Sequence, residues 1–268
     1  SNTAEPYNFS YDKLKLYGSA VFDGLRKDTT FMRMRKKPNL IPRMEKCAAV
    51  QLQTPEDLKG SWKSAFPGYT QLHVELGCGK GRFTADTAAV NPDVFLVAVE
   101  KVPDAMVVAM ERVCDQGLSN VRFMDRDVVK LPEIFEKSEV DRIYINFCDP
   151  WPKSRDAKYR LTAPDFLRKY ADVLPIGGQI HFKTDNTPLF TWSVEQMKAE
   201  GWALSEVTNN LHENGPVGIM TDYEAKFYGE GLPINRLVAT RVEGTKTSAD
   251  GSAGRLRNAY LSDAKGHQ

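Results

Sequence analysis

The sequence has no apolar run close to the roughly 18 residues that a membrane-spanning helix needs. Its first ten residues, Ser1 to Ser10, are polar and do not read as a signal peptide. Cysteine is sparse: Cys47, Cys78, Cys114 and Cys148 are scattered, with no CxxC pair. That argues against a structural metal site and suits a reducing cytoplasm. Net charge is almost absent, at +1 from 36 basic and 35 acidic residues. Any nucleic-acid surface must therefore come from local clustering. Histidine is also scarce. His73 and His181 lie inside apolar strands and read as core residues, and His267 lies near the C-terminus. Neither these nor His212 forms an obvious acid/base pair, which weakens a hydride-transfer reading without excluding it. What remains is ordinary for a globular protein: 268 residues, 41% hydrophobic and 26% charged.

Charge does cluster near the N-terminus. Arg26 to Lys46 holds eight basic residues against two acids, with Phe31, Met32 and Met34 interleaved. Cations beside flat or polarisable groups suit an RNA backbone and its exposed bases, although a solvated basic arm has the same composition. Pro38 and Pro42 predict an extended arm. Thr54-Pro55-Glu56-Asp57 reads as the capped start of a short helix. From Leu72 onward, apolar runs alternate with helical stretches. Strands are expected at 72–76, 95–99, 121–124, 141–147, 179–183, 202–207 and 234–242. Helices are expected at 83–90 and 103–114, after the caps Thr162-Ala163-Pro164-Asp165 and Thr187-Pro188, and ahead of Gly201. This rhythm implies a parallel sheet with helices on both faces. The expected organisation is an N-terminal extension with its basic arm (1–60), a catalytic domain (61–243) and a flexible tail rich in Gly, Ser, Ala and Asp (244–268).

The chain is organised around Val74-Glu75-Leu76-Gly77-Cys78-Gly79-Lys80-Gly81. An apolar run ends in an acid, a glycine turn follows, and a helix begins. Gly77, Gly79 and Gly81 let the backbone turn sharply and let a ligand approach without meeting a Cβ. An ordinary strand-to-helix turn needs similar residues. The acids argue for more. Glu75, Glu100, Asp127 and Asp149 each fall at or just past a strand end, and parallel strand ends share one edge. Glu100 stands where a carboxylate would accept two ribose hydroxyls. Both S-adenosylmethionine (SAM) and a nicotinamide dinucleotide satisfy these features.

After the fourth strand comes Phe147-Cys148-Asp149-Pro150-Trp151-Pro152-Lys153. Two prolines should stiffen this loop, hold Trp151 extended and aim Asp149, Trp151 and Lys153 at the cofactor edge. A D/N-P-P-Y/W loop in this position occurs in methyltransferases that modify nucleobase nitrogens. With Arg35-Lys36-Lys37-Pro38, the glycine turn, Phe182-Lys183-Thr184-Asp185-Asn186 and Thr221-Asp222-Tyr223-Glu224-Ala225-Lys226-Phe227, residues 30–242 resemble the bacterial tRNA (guanine-N7-)-methyltransferases. Cys148, where a small residue is expected, and the long terminal extensions depart from that pattern.

The resemblance implies a Rossmann-like class I methyltransferase fold: a mostly parallel seven-stranded sheet with one antiparallel strand. It implies methyl transfer from SAM, leaving S-adenosylhomocysteine, to N7 of a guanosine at position 46 in the tRNA variable loop. SAM contacts fall on Glu75, Gly77, Gly79, Gly81, Glu100, Asp127 and Asp149. Acceptor contacts fall on Lys153, Asp185, Thr221, Asp222, Tyr223 and Glu224, although Thr221-x-x-Glu224 is also a capping-box pattern. Phosphate contacts are expected at Arg33, Arg35, Lys36, Lys37, Arg155, Lys158 and Arg160. No metal is implied, and the state is monomer or homodimer. Guanine N7 carries a lone pair and no proton, so attack needs no general base. Asp149 is the catalytic candidate, stabilising positive charge as it develops. The alternatives are an NAD-dependent oxidoreductase on a related sheet and a catalytically idle RNA-binding module.

Overall fold

The computed structural model describes residues 37–251 of the chain. Arg33, Arg35 and Lys36 of the expected arm, and residues 252–268 of the expected tail, lie outside the described residues. Seven strands form one sheet: β1 (Gln71–Leu76), β2 (Val94–Val99), β3 (Val121–Met124), β4 (Arg142–Asn146), β5 (Gln179–Thr184), β6 (Ala203–Thr208) and β7 (Asn235–Thr240). Their order is β3-β2-β1-β4-β5-β7-β6. Neighbours from β3 through β5 pair in parallel, and β7 runs antiparallel to both β5 and β6. This is the expected sheet, with the expected single reversed strand.

Composition explains the layering. Every residue of β2, Val-Phe-Leu-Val-Ala-Val, is buried, as a central strand covered on both faces must be. One face of the sheet is mainly apolar, with Leu72, Val74, Leu76, Ile143, Ile145, Ile180, Phe182 and Leu237 in a single core cluster. The second cluster is narrower. It covers Leu96, Ala98, Val121 and Phe123 and packs them against helices α3 (Arg82–Val90) and α4 (Pro103–Asp115). In α4 the buried Ala105, Met106, Ala109, Met110 and Val113 recur at helical spacing, and Pro103 opens the first turn. Among the described residues no helix is long and apolar enough to cross a membrane.

Several local expectations are corrected. Pro42 lies inside an α-helix, α1 (Leu40–Lys46), rather than in an extended arm. It is the third helical residue, where the backbone N–H has no intrahelical partner to lose. Met44, Cys47 and Val50 carry this segment into the second core cluster. Thr54 makes no side-chain cap, and Pro55–Leu58 is a single 3-10 turn. Thr162 does not cap the helix Pro164–Val173: it is fully buried, with its hydroxyl 2.7 Å from Ser193 Oγ. Asn186, not Thr187, caps the helix Thr187–Ala199 by accepting the Leu189 N–H at 2.8 Å. Residues 244–251 do not behave as a free tail. Thr245 is buried and donates to Gly201 O at 3.0 Å, and Lys246 N–H bonds Glu200 O at 2.9 Å.

The glycine turn positions the helix behind the site. Gly77, Gly79 and Gly81 all have positive φ, at 77°, 57° and 73°. A Cβ on Gly81 would lie 2.5 Å from Ala109 Cβ and 2.8 Å from its Cα, so only glycine lets α4 approach this closely. A Cβ on Gly77 or Gly79 would meet nothing within 4 Å. Gly81→Ala is therefore expected to destabilise by about 2–4 kcal/mol, combining backbone strain and overpacking. Gly77→Ala should show the backbone term alone, about 1–2 kcal/mol. Urea unfolding of both variants checks the order; equal losses would contradict the packing role of Gly81.

Candidate active site

The carboxyl ends of β1, β2 and β4 bring together the glycine turn, Glu100 and the Asp-Pro-Trp-Pro loop. Glu100 is held on both sides by backbone: Oε2 accepts Gly79 N–H at 2.9 Å and Oε1 accepts Val102 N–H at 2.9 Å. Burial raises its pKa, and the backbone donors oppose the shift. Two N–H donors fix the carboxylate and leave lone pairs for a ligand's hydroxyls. With open space over Gly77 and Gly79, the edge fits a nucleoside carried beside a bare backbone.

Glu75 is placed differently from its neighbours. It lies beneath the turn, 1% exposed, where Thr84 Oγ1 donates to Oε2 at 2.6 Å and Asn146 Nδ2 to Oε1 at 3.3 Å. It joins β1, β4 and α3 from below. Burial is the main cause that pushes its pKa up to about 7, against the two donors and Lys183. Asp127 is exposed and caps a 3-10 turn, accepting Val129 N–H at 3.0 Å.

Asp149 stands at the rim of the crevice with its side chain exposed. Partial desolvation by the surrounding chain raises its pKa, and Lys101, next to Glu100, pulls the other way. Trp151 has φ 42°, so the loop is not extended there as expected. A left-handed residue before a proline is strained, and Arg160 holds it in place. Arg160 Nε donates to Pro150 O at 3.0 Å, Nη2 donates to Trp151 O at 2.9 Å, and the guanidinium lies 4.4 Å over the Trp192 ring. Arg160, where a phosphate contact is expected, is half-buried and commits its Nε and Nη2 to the loop. Phe147, also left-handed at φ 54°, donates its N–H to Lys183 O. Lys153, Arg155 and Lys158 remain exposed. Lys37 is half-buried, its backbone N–H bonded to Asp104.

Glu224 is also corrected. It is fully buried and cannot touch RNA. Its Oε2 accepts from Lys183 Nζ at 2.5 Å and from Thr221 N–H at 3.2 Å, and its Oε1 lies 3.1 Å from His212 Nε2. His212 Nδ1 accepts Val217 N–H at 3.1 Å, so Nε2 carries the proton given to Glu224. Lys183 also donates to Ile219 O at 2.9 Å. One buried network thus ties the Lys-Thr-Asp-Asn motif to the segment 212–224. It leaves Asp185, Asp222 and Tyr223 exposed, and Thr221 partly so. Thr221 and Glu224 complete a reciprocal capping box. Sequence reasoning assigned no role to Lys183, His212, Thr84 or Asn146. The only signal was a lysine inside an apolar strand, which demands a buried acid from somewhere.

A family model described as "Putative methyltransferase" matches residues 69–237. The chain is 41% identical over 209 residues to a tRNA (guanine-N(7)-)-methyltransferase of Listeria monocytogenes serotype 4b, covering 78% of this chain and 98% of that protein. It is 42% identical over 206 residues to the enzyme of the same name from Bacillus velezensis, covering 76% and 95%. Among solved structures it resembles the 16S rRNA methyltransferase KamB, with TM-score 0.52 and 16% identity over 68% of this chain and 92% of that one. It also resembles the aminoglycoside resistance methyltransferase NpmB1, with TM-score 0.50 and 19% identity over 71% and 95%. Those two likenesses concern the fold alone.

The buried carboxyl of Glu75 makes stability depend on pH. Its folded pKa, about 7, lies above its ordinary 4.5, so the fold favours the protonated form. That contribution is intact below about pH 4.5 and is lost as pH rises toward 7. Relative to Glu75→Gln, wild type should lose on the order of 3 kcal/mol at most between pH 5 and pH 8. Urea midpoints of both proteins at the two pH values test this; parallel behaviour would show that Glu75 stays ionised in the fold.

Proposed function

The chain belongs to the tRNA (guanine-N(7)-)-methyltransferase family, and from that premise we propose that it methylates N7 of guanosine 46 in the tRNA variable loop. It uses SAM and works in the cytoplasm. The observation that carries the reading is the meeting of a bare glycine turn, a backbone-held Glu100 and a strapped Asp149 loop at one sheet edge. SAM supplies an electrophilic methyl on a sulfonium. Gly77 and Gly79 offer unobstructed backbone to it, Glu100 its carboxylate to the ribose, and Asp127 lines the rim. Glu75 supports the turn from beneath.

N7 has no proton to remove, so the residues have to align and stabilise. The base must leave its stack to reach the crevice. Asp185, Thr221, Asp222 and Tyr223 receive it; they are carried by the segments that the Lys183–Glu224 pair joins. Asp149 faces the purine as it gains positive charge. Lys153, Arg155 and Lys158 hold phosphates beside the loop, and Lys37 does the same with Arg33, Arg35 and Lys36, which precede it in sequence.

Methyl transfer to an unmodified tRNA transcript and to one with adenosine at position 46 tests the proposal. Transfer only to the first is expected. Methylation of both would reject the position, and SAM binding without transfer to any tRNA would favour an idle binding module. NAD binding without a response to SAM would favour an oxidoreductase.

Asp149→Ala should keep the fold and lower single-turnover rate at saturating SAM on the order of 10²-fold, with smaller changes in ligand affinity. Recovery of most of that rate by excess SAM would instead make Asp149 a cofactor anchor.

A further inference from the structure

A sheet of parallel strands is normally apolar on both faces. Here β1, β4 and β5 alternate instead, as Gln-Leu-His-Val-Glu-Leu, Arg-Ile-Tyr-Ile-Asn and Gln-Ile-His-Phe-Lys-Thr. The apolar set fills one core. The other face carries His73, Glu75, Arg142, Tyr144, Asn146, His181 and Lys183, aligned across strands by the register His73↔Arg142, Tyr144↔His181 and Asn146↔Lys183. A cleft of about 230 Å³ opens over this face, between Phe83 and Thr87 of α3 and the segment around Leu211 to Ile219.

Most charges in the cleft are matched. Lys183 meets Glu224, and Arg236 meets Glu206 at 2.5 Å. Arg142 is not: it reaches the neutral Tyr144 hydroxyl at 3.5 Å and Gln179 Oε1 at 3.2 Å, and makes no ion pair among the described residues. Burial, with Arg142 adding to it, drives the pKa of both His73 and His181 down to about 3, so both imidazoles are neutral. One guanidinium therefore sets the charge of the cleft. Three of the buried polar atoms that have no hydrogen-bond partner among the described residues belong to residues lining this cleft: Arg142 Nε, Thr87 Oγ1 and Asn146 Oδ1. Asn146 is only 6% exposed, and its amide is already committed to Glu75. Arg142 and Asn146 are four residues apart on one strand face, about 13 Å. Tyr144 lies between them, with the Phe83 ring 5.0 Å and the His181 ring 5.5 Å from it.

We propose that this polar sheet face binds a small flat molecule of nucleoside monophosphate class, its oxyanion on Arg142 and an N–H or O–H edge on Asn146 Oδ1. The fork of Nε and a terminal nitrogen suits a phosphate. The volume lies just under the roughly 300–1,000 Å³ of usual ligand sites, so the ligand is small. The site centres on Arg142 at the amino end of β4, away from the crevice over Gly77 and Gly79, and reaches the carboxyl edge only at Asn146.

Calorimetry on the full chain tests this, with GMP and inorganic phosphate as probes, each with and without saturating S-adenosylhomocysteine. GMP should bind saturably with unchanged affinity in its presence, and phosphate should bind more weakly. Arg142→Gln should weaken both at least tenfold while sparing S-adenosylhomocysteine, which also reports that the variant folds. Thr87→Val, a milder change, should weaken GMP about threefold. Absence of saturable GMP binding, competition with S-adenosylhomocysteine, or indifference to Arg142→Gln would overturn the proposal. GMP binding lost in Tyr223→Ala but kept in Arg142→Gln would also overturn it, by placing the probe in the methyl-acceptor site. Phosphate binding without any gain for GMP would reject the nucleotide class.

Discussion

Lys183 and Glu224 lie together where almost no water reaches, and neither would be tolerable there alone. Burial lowers the lysine's pKa, and the glutamate opposes that shift. The pair is useful because of what it joins. Lys183 is the last residue but one of β5, two residues before Asp185. Glu224 sits in the first turn of the helix Asp222–Gly229. Forty residues of chain therefore return to the same point, and a loop with little apolar content of its own is fixed by charge. His212 adds a third tie, with its tautomer set by the Val217 N–H. The exposed side chains expected to meet RNA stand on elements that this network orients.

A second constraint acts at the other end of the crevice. Gly81 must be glycine because α4 passes within contact of where its Cβ would be. That closeness sets the height of the turn over the sheet and leaves Gly77 and Gly79 facing open space. Glu100 then reaches back to the turn through Gly79 N–H. The Asp149 loop is secured independently, by Arg160 gripping two of its carbonyls. Three devices of different chemistry (steric, backbone to carboxylate, guanidinium to carbonyl) thus converge on one edge.

The strands were legible from sequence because each is a short apolar or alternating run bounded by turn residues, and pattern survives without knowledge of partners. The seven-stranded order with one reversed strand was legible only through the family resemblance; alternation alone says nothing about which strand inverts. Arg160 was read as a phosphate contact from its place in a basic run, and Glu224 as an acceptor contact from the family resemblance. Their real partners, carbonyls nine and ten residues back and a lysine 41 residues away, depend on tertiary placement. Trp151 was expected to be extended from the proline after it, and a distant arginine overrides that local preference. Pro42 shows the same limit in reverse: a helix breaker in the interior is harmless in the first turn.

The placement of the titratable groups bears on the chemistry. His73 and His181 are held neutral within the polar sheet face, and His212 spends its one N–H on Glu224. The buried Glu75 favours its protonated form and braces the turn. Each is committed to structure, which is affordable only if the reaction needs no proton shuttle. An acceptor nitrogen with a free lone pair meets that condition. What such a reaction does need is a fixed approach and a negative group near the growing positive charge. Asp149 is an exposed carboxylate at the rim, on a loop whose strained backbone is held by contacts away from the carboxylate itself. Rigidity supplied from behind the loop leaves the carboxylate itself out of the contacts that hold the backbone.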